Sequence, residues 1–202
     1  MIILDFETNS TNIHDVIEVA AFRVELINKE YKVIDTFHRY YFSEYEVNPH
    51  TLDVHKLSPD RLEKLRKDVD YEERFENDTD FVEFCKNAKT LVAHNTSFEL
   101  RHLKNLVSFE NNFCTMKENK TIVKATNKNG AIKLPKLIET CEYYNIDFDN
   151  EQYHSAIYDV TKTLEILNKM EVYDIQVSLQ SKHCFNHLAV KTHLEILKKH
   201  QK

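Results

Sequence analysis

A chain of 202 residues that is 42% hydrophobic and 11% aromatic can bury a sizeable core as one domain, and its formal net charge of −6 is not that of a uniformly basic nucleic-acid binder. Gly130 is the only glycine, so neither G-x-x-x-x-G-K nor G-x-G-x-x-G can be present, which disfavours phosphate-loop nucleotide hydrolysis and Rossmann redox chemistry. Cys85, Cys114, Cys141 and Cys184 form no C-x-x-C pair, no apolar run approaches the roughly 20 residues of a membrane helix, and Met1 leads directly into a strand pattern. A soluble, cytoplasmic protein with reduced thiols is the expectation, and its N-x-[ST] triplets are then chance matches.

In chain order, Ile2 to Glu7 reads as a strand and Val16 to Glu25, "VIEVAAFRVE", as a second with Glu18 set in an apolar run. Lys29 and Glu30 mark a turn, after which "YKVIDTFHRYYF" is rich in β-branched and aromatic residues, so the opening reads as a three-stranded meander. Two short helices follow. "SPDRLEKLRK" has Ser58 as cap and Pro59 in the first turn, and "DTDFVEFCKNA" carries Phe81, Phe84 and Cys85 on one face. "TLVAH" is a short buried strand that passes at Asn95 into a helix predicted over "TSFELRHLKNLVSF". "KLPKLIETCEYYNI" predicts another helix, and "HSAIYDVTKTLEILNKM" spaces Ile157, Val160, Leu164 and Leu167 for a last one in the main body. Strands first, then alternating helix and strand, predict an α/β or α+β layer fold with a mixed sheet over residues 1–173, with α/β preferred. Residues 174–202 read as an extension with a helix from about Asn186, a candidate surface for a polymerase or other protein partner.

Charge is distributed unevenly along this sequence. Residues 60–83 hold ten acids against five bases, while 117–133 hold Lys117, Lys120, Lys124, Lys128 and Lys133 against Glu118 alone. The second stretch is either a basic flap for phosphates or a solvated loop. In the tail, His183, Cys184, His187 and His193 imitate a zinc site but lack a second cysteine and regular ligand spacing.

Chemistry is concentrated in four acids. Side chains alternate across a strand, so Asp5 and Glu7 project from one face while Phe6 goes to the other. "VAHNTSFEL" puts Glu99 in the first turn of a helix at a strand-to-helix junction, and "HSAIYDV" puts Asp159 near the start of another. Strand ends and helix starts are where α/β sites assemble.

These blocks resemble the DEDDh 3′-5′ exonucleases, the family that includes the proofreading epsilon subunit of bacterial replicative polymerases and ribonuclease T. The likeness runs from about residue 1 to 172: "ILDFET" with "VIEVAAFRV" behind it, then "VNPHTLDVHKLS", then "LVAHNTSFE", and lastly "KLPKLIETCEYY" through "YHSAIYDV". The resemblance implies a ribonuclease-H-like fold in which Asp5, Glu7, Glu99 and Asp159 hold two divalent ions, Mg²⁺ or Mn²⁺, with His154 as general base. Hard ions of this kind prefer carboxylate oxygen, and a pair of them suits in-line phosphodiester hydrolysis. His154 precedes Asp159 by five positions, about 140° around a continuous helix, so it belongs on the loop before that helix. Thr8, His55, Asn95 and Phe98 match family positions around the terminal nucleotide, and Lys120, Lys124 and Lys128 are candidate phosphate contacts.

The expected substrate is the 3′ end of a single strand, with DNA favoured and RNA the alternative. A binding module that keeps the fold without the chemistry is the other alternative, because Glu99 stands where the family has aspartate. Residues "TSFE" also spell a capping box in which Thr96 and Glu99 would satisfy each other's backbone donors, so ligand and cap are both open for Glu99.

Overall fold

The branched apolar residues at the start of the chain form the centre of a five-stranded mixed sheet. Strands β1 (Ile2–Thr8), β2 (Val16–Ile27) and β3 (Glu30–Tyr40) pair antiparallel, β4 (Thr90–Ala93) and β5 (Asn111–Cys114) add parallel to β1, and the order is β3-β2-β1-β4-β5. The computed structural model describes residues 1–13, 15–173 and 175, within which Met1–Glu171 make one compact unit. The predicted extension at 174–202, Ile175 apart, lies outside the described residues, as do His183, Cys184, His187, His193 and the helix expected from Asn186.

The β2–β3 hairpin turns at Asn28 (φ 52°) and Lys29 (φ 64°), both left-handed as a tight two-residue hairpin turn demands. Glycine would adopt this without strain, and in a chain with a single glycine asparagine and lysine do so instead. Glu30, expected in the turn, opens β3.

The helices are short except for the last. Helix α1 (Pro49–His55) is capped by Asn48 onto the His50 N–H, α2 (Pro59–Leu65) by Ser58 onto the Arg61 N–H, and α3 (Thr79–Cys85) by Asp78, with a 3₁₀ turn at Phe75–Asn77 before it. Then come α4 (Thr96–His102), α5 (Thr115–Glu118), α6 (Lys120–Val123), α7 (Leu137–Tyr143) and α8 (Ala156–Lys169). The helix predicted over 96–109 stops at His102. Asn105 is left-handed (φ 68°) and turns the chain, while Leu103, Leu106 and Val107 still reach the core from non-helical backbone. Helix α7 begins only after Pro135, later than predicted. The basic 117–133 stretch is more ordered than a loop: it holds the end of α5, all of α6 and a small hairpin bridged at Thr126 and Ile132, which turns through Gly130 (φ 77°).

Alternation along β1 divides the molecule into two layers. Ile2, Leu4 and Phe6 enter the main core with Phe37, Tyr41, Phe75, Phe81, Cys85, Leu91 and Leu103. Phe6 meets Phe75 edge-on at 5.1 Å, and Phe75 meets Phe81 at 5.0 Å. On the other face lies α8, which buries Ala156, Asp159, Val160, Thr163, Ile166 and Leu167 at helical spacing against β1, β2 and β3. One aspartate in that buried stripe is out of place in an apolar packing surface. Among the described residues no helix is long and apolar enough to cross a membrane.

Candidate active site

Asp5 and Glu7 lie one strand period apart on the α8 side of β1, with Phe6 turned into the core between them. Register shifts between Glu7 and Thr8, an irregularity of the kind found where a sheet rim aims side chains into a site. Helix α8 supplies Asp159 from its first turn, and α4 supplies Glu99 from its own, straight after β4. Glu99 is 2% exposed and Asp159 6% exposed, and Glu7 is buried beside them. Carboxyl oxygens of Glu7 and Asp159 and a ring nitrogen of His154 all lie within 4.8 Å of one another.

The electrostatics of this cluster are unfavourable as it stands. Burial, then the charges of Asp159, Glu7, Glu99 and Glu18, push the Asp5 carboxyl well above the usual carboxylate range. Glu7 is raised in the same way, by burial and then by Asp159, Glu18 and Glu99. Burial lifts Glu99 to about 8 and Asp159 to about 7, the latter against a backbone hydrogen bond from His154. Among the described residues no lysine or arginine forms an ion pair with these four acids; those that do pair, such as Arg39 with Asp78 and Lys133 with Glu139, do so elsewhere. Glu99 Oε2 and Asp159 Oδ1 are buried without any hydrogen-bond partner. Uncompensated carboxylates in a buried site are costly, and hard oxygen donors aimed at one place fit a divalent cation.

The capping alternative for Glu99 does not hold in this geometry. Asn95, not Thr96, is the N-cap of α4, Thr96 is already helical, and no side chain caps the helix. One Glu99 oxygen is buried without a partner, and the Glu99 charge acts on Asp5 and Glu7.

His154 sits on the loop before α8, as the five-residue spacing requires. Its φ of 65° is left-handed, an uncommon state for a non-glycine residue and one that needs its surroundings to hold it. Tyr153 stacks on the imidazole at 3.6 Å. Burial, with a smaller contribution from Lys136, lowers the His154 pKa below the ordinary histidine value, so the ring is neutral near pH 7 and free to accept a proton.

His154 also lines a cavity of about 490 Å³ with His55, Lys56, Arg61, Tyr153 and Lys162. His55 Nδ1 accepts from the Leu57 N–H at 2.9 Å, burial drops its pKa to about 4, and the neutral ring therefore carries its proton on Nε2, which has no partner. Thr8 is buried at the end of β1, and Asn95 is exposed at the α4 N-cap. Phe98 is half-buried, tilted against His102 at 4.8 Å and packed on the main core. Lys120, Lys124 and Lys128 are exposed, on α6, at its left-handed C-cap and in the following turn.

Two residues outside the sequence-predicted set bear on the site. Lys136, at the N-cap of α7, acts on His154, and nothing local in the sequence distinguishes it from its neighbours. Glu18, 1% exposed, stands opposite Glu7 in the β1–β2 register and adds a fifth carboxylate. Its signal was legible as a lone acid in the apolar run of β2.

Among solved structures, the chain is similar to exonuclease X in complex with 5′-overhanging duplex DNA (18% identity, TM-score 0.59, covering 87% of this chain and 95% of that one). It is also similar to the nuclease domain of 3′hExo, a DEDDh family member, bound to rAMP (16%, TM-score 0.55, 84% and 90%). A third likeness is to E. coli exonuclease I with a dT13 oligonucleotide (15%, TM-score 0.65), where 90% of this chain covers 42% of that one. No curated protein sequence matches the chain. At these identities the structural likeness establishes the mixed-sheet fold, and the family model for RNase T-type exonucleases matches residues 2–167. The chain belongs to the exonuclease family.

Proposed function

We propose that this protein is a metal-dependent 3′-5′ exonuclease that removes nucleoside 5′-monophosphates from single-stranded nucleic acid, DNA in preference to RNA. The observation that carries this reading is the meeting of Glu7 and Asp159 oxygens with the His154 ring within 4.8 Å, with the charges of Asp5's neighbours Glu7, Glu99 and Asp159 acting on one cluster, unpartnered oxygens on Glu99 and Asp159, and no ion pair to these acids among the described residues.

Asp5, Glu7, Glu99 and Asp159 would hold two divalent ions, Mg²⁺ or Mn²⁺. Such ions, when bound, ease formation of the attacking hydroxide and offset charge on the departing 3′-oxygen. His154 accepts the proton of the attacking water, a role that its neutral state near pH 7 supports. Its left-handed backbone and the Tyr153 stack hold the imidazole beside Glu7 and Asp159. Thr8, His55, Asn95 and Phe98 surround the terminal nucleotide on this reading, with the His55 Nε2–H a donor of fixed tautomer. Lys120, Lys124 and Lys128 contact upstream phosphates without reading bases.

Buried thiols at Cys85, Cys114 and Cys141, with no disulfide among the described residues, support a cytoplasmic setting. The experiment is incubation of purified protein with 3′- and 5′-labelled DNA and RNA strands in Mg²⁺, Mn²⁺ or chelator. Stepwise shortening from the 3′ end, lost in chelator, is the expected result. Intact strands under every metal condition would leave a binding module instead.

A further inference from the structure

Ser155 is the N-cap residue of α8, and serine is among the best capping residues, yet its side chain makes no cap hydrogen bond. It donates instead to Glu18 Oε1 on β2, at 3.4 Å. Glu18 faces the α8 layer because it shares a cross-strand row with Glu7 on one side and Tyr40 on the other. The same Oε1 accepts from His38 Nε2 at 2.8 Å, and the Tyr40 hydroxyl donates to this carboxylate as well. A carboxylate that is 1% exposed is thus fixed by two donors from β3 and lends its remaining capacity to the residue directly after His154.

We infer that Glu18 is a positioning residue, whose carboxylate holds Ser155 off the α8 N-terminus and thereby sets where His154 and Asp159 meet Glu7. The loop needs such a tether. His154 is left-handed and depends on its surroundings; the Ser155 N–H bonded to the Gln152 carbonyl and the Tyr153 stack hold the loop from its own side, and the Glu18 contact adds a hold from the sheet just before the first turn of α8, which carries Asp159. Glu18, on β2, is itself held by His38 and Tyr40 of β3, which gives Ser155 an anchor fixed to the sheet.

The inference rests on the nuclease reading for its kinetic consequence but not for its structural one, and the substitutions at Ser155 separate the two. Threonine keeps the hydroxyl. Alanine removes it. Aspartate is as good an N-cap as serine but sets a second negative charge against Glu18. A tether predicts that Ser155→Thr keeps near-normal kcat, that Ser155→Ala lowers kcat about tenfold with KM within about twofold, and that Ser155→Asp is the worst of the three. A simple capping role predicts that aspartate is tolerated and alanine is destabilised.

Glu18→Ala also removes the contacts with His38 and Tyr40, so it should lower kcat at least as much as Ser155→Ala, and adding Ser155→Ala to it should cost nothing further, because the Ser155 contact is already gone. The ring ¹H–¹³C resonances of His154 give a readout that needs no catalysis: they should shift in Ser155→Ala and Ser155→Asp and stay in place in Ser155→Thr. Wild-type protein that cleaves no strand would sink the nuclease reading and leave these shifts to decide the tether. Unmoved His154 resonances in Ser155→Ala and Ser155→Asp, or fully additive effects of Glu18→Ala and Ser155→Ala, would overturn the tether itself.

Discussion

The two faces of β1 are built by alternate residues of one strand and solve opposite problems. Ile2, Leu4 and Phe6 enter an aromatic core in which every ring finds an edge or face of another, and nothing further is required of the solvent or of a ligand. Asp5 and Glu7, on the other face, lie near Asp159, Glu99 and Glu18, whose charges add to burial in making Asp5 and Glu7 harder to ionise. One face is complete as a folded structure. The other gathers carboxyl groups that burial makes costly to ionise, and on the proposed reading it is completed by divalent ions, which would separate residues that hold the fold from residues that do its chemistry.

The largest effects should come from single substitutions on either side of that divide. Asp5→Ala or Asp159→Ala should drop cleavage by about 10³-fold or more, since the site supplies several kcal/mol at about 1.4 kcal/mol per tenfold. Thermal stability without metal should hold or rise, because like-charge crowding is relieved. Phe6→Ala should do the reverse and cost about 3–5 kcal/mol of stability. Cleavage assays beside thermal melts read both, and an Asp159→Ala protein that unfolds like Phe6→Ala would erase the distinction.

If His154 is the base, as proposed, removing it should cost somewhat less. His154→Ala is expected to lose about 10²–10⁴-fold in turnover while binding labelled strands normally. Because burial lowers the His154 pKa, the rise of wild-type activity with pH, measured with metal saturating at every pH, should lie below the ordinary histidine value of about 6.5. A rising limb centred above that value, or one that survives in His154→Ala, would assign it to another group.

Stability gives a quieter test of the acidic face. The folded-state pKa values of Glu99 (about 8) and Asp159 (about 7) are raised by burial above those of an unfolded chain, near 4. Stability from these groups is fully present below the unfolded values and is lost as pH rises through the folded ones. Metal-free protein should therefore melt at progressively lower temperature from about pH 4.5 to above pH 8, apart from any general acid effect at the low end. Divalent metal should flatten that slope, and Glu99→Gln should reduce it without metal. The melting temperature of chelated protein across this window checks the sign.

Smallest of all should be the basic stretch. Neutralising Lys120, Lys124 and Lys128 should weaken binding alike for all sequences, and each lost phosphate contact should flatten the log–log salt slope by about 0.7 on single strands. An unchanged slope makes these exposed lysines part of the solvated surface.

Much of this division was legible in the sequence, though unevenly. Alternation alone put Asp5 and Glu7 on one face, and helical spacing gave α8 and the loop position of His154. What brings Glu99 and Asp159 to β1 is tertiary, and only the resemblance of the sequence blocks pointed to it. Strand β5, four residues opening on two asparagines, is too short and polar to announce itself, and its identity depends on pairing with β4. Helix α4 was overread because Leu103, Leu106 and Val107 keep helical spacing although the chain leaves the helix at His102. Glu18 was visible as an acid in an apolar run, but its contacts with His38, Tyr40 and Ser155 join three separate elements.

The central claim is that the acidic face of β1 is a cation site to which Glu99 belongs. Calorimetric titration of metal-free protein with Mn²⁺ tests it without any nucleic acid, using wild type, Asp159→Asn, Glu99→Gln and Glu99→Asp. Binding should be clear in wild type and stronger at pH 8 than at pH 6, as the raised carboxyl groups ionise. It should be abolished by Asp159→Asn, weakened about tenfold or more by Glu99→Gln, and retained by Glu99→Asp, which keeps the charge. Wild-type Mn²⁺ affinity in both Asp159→Asn and Glu99→Gln would contradict the account.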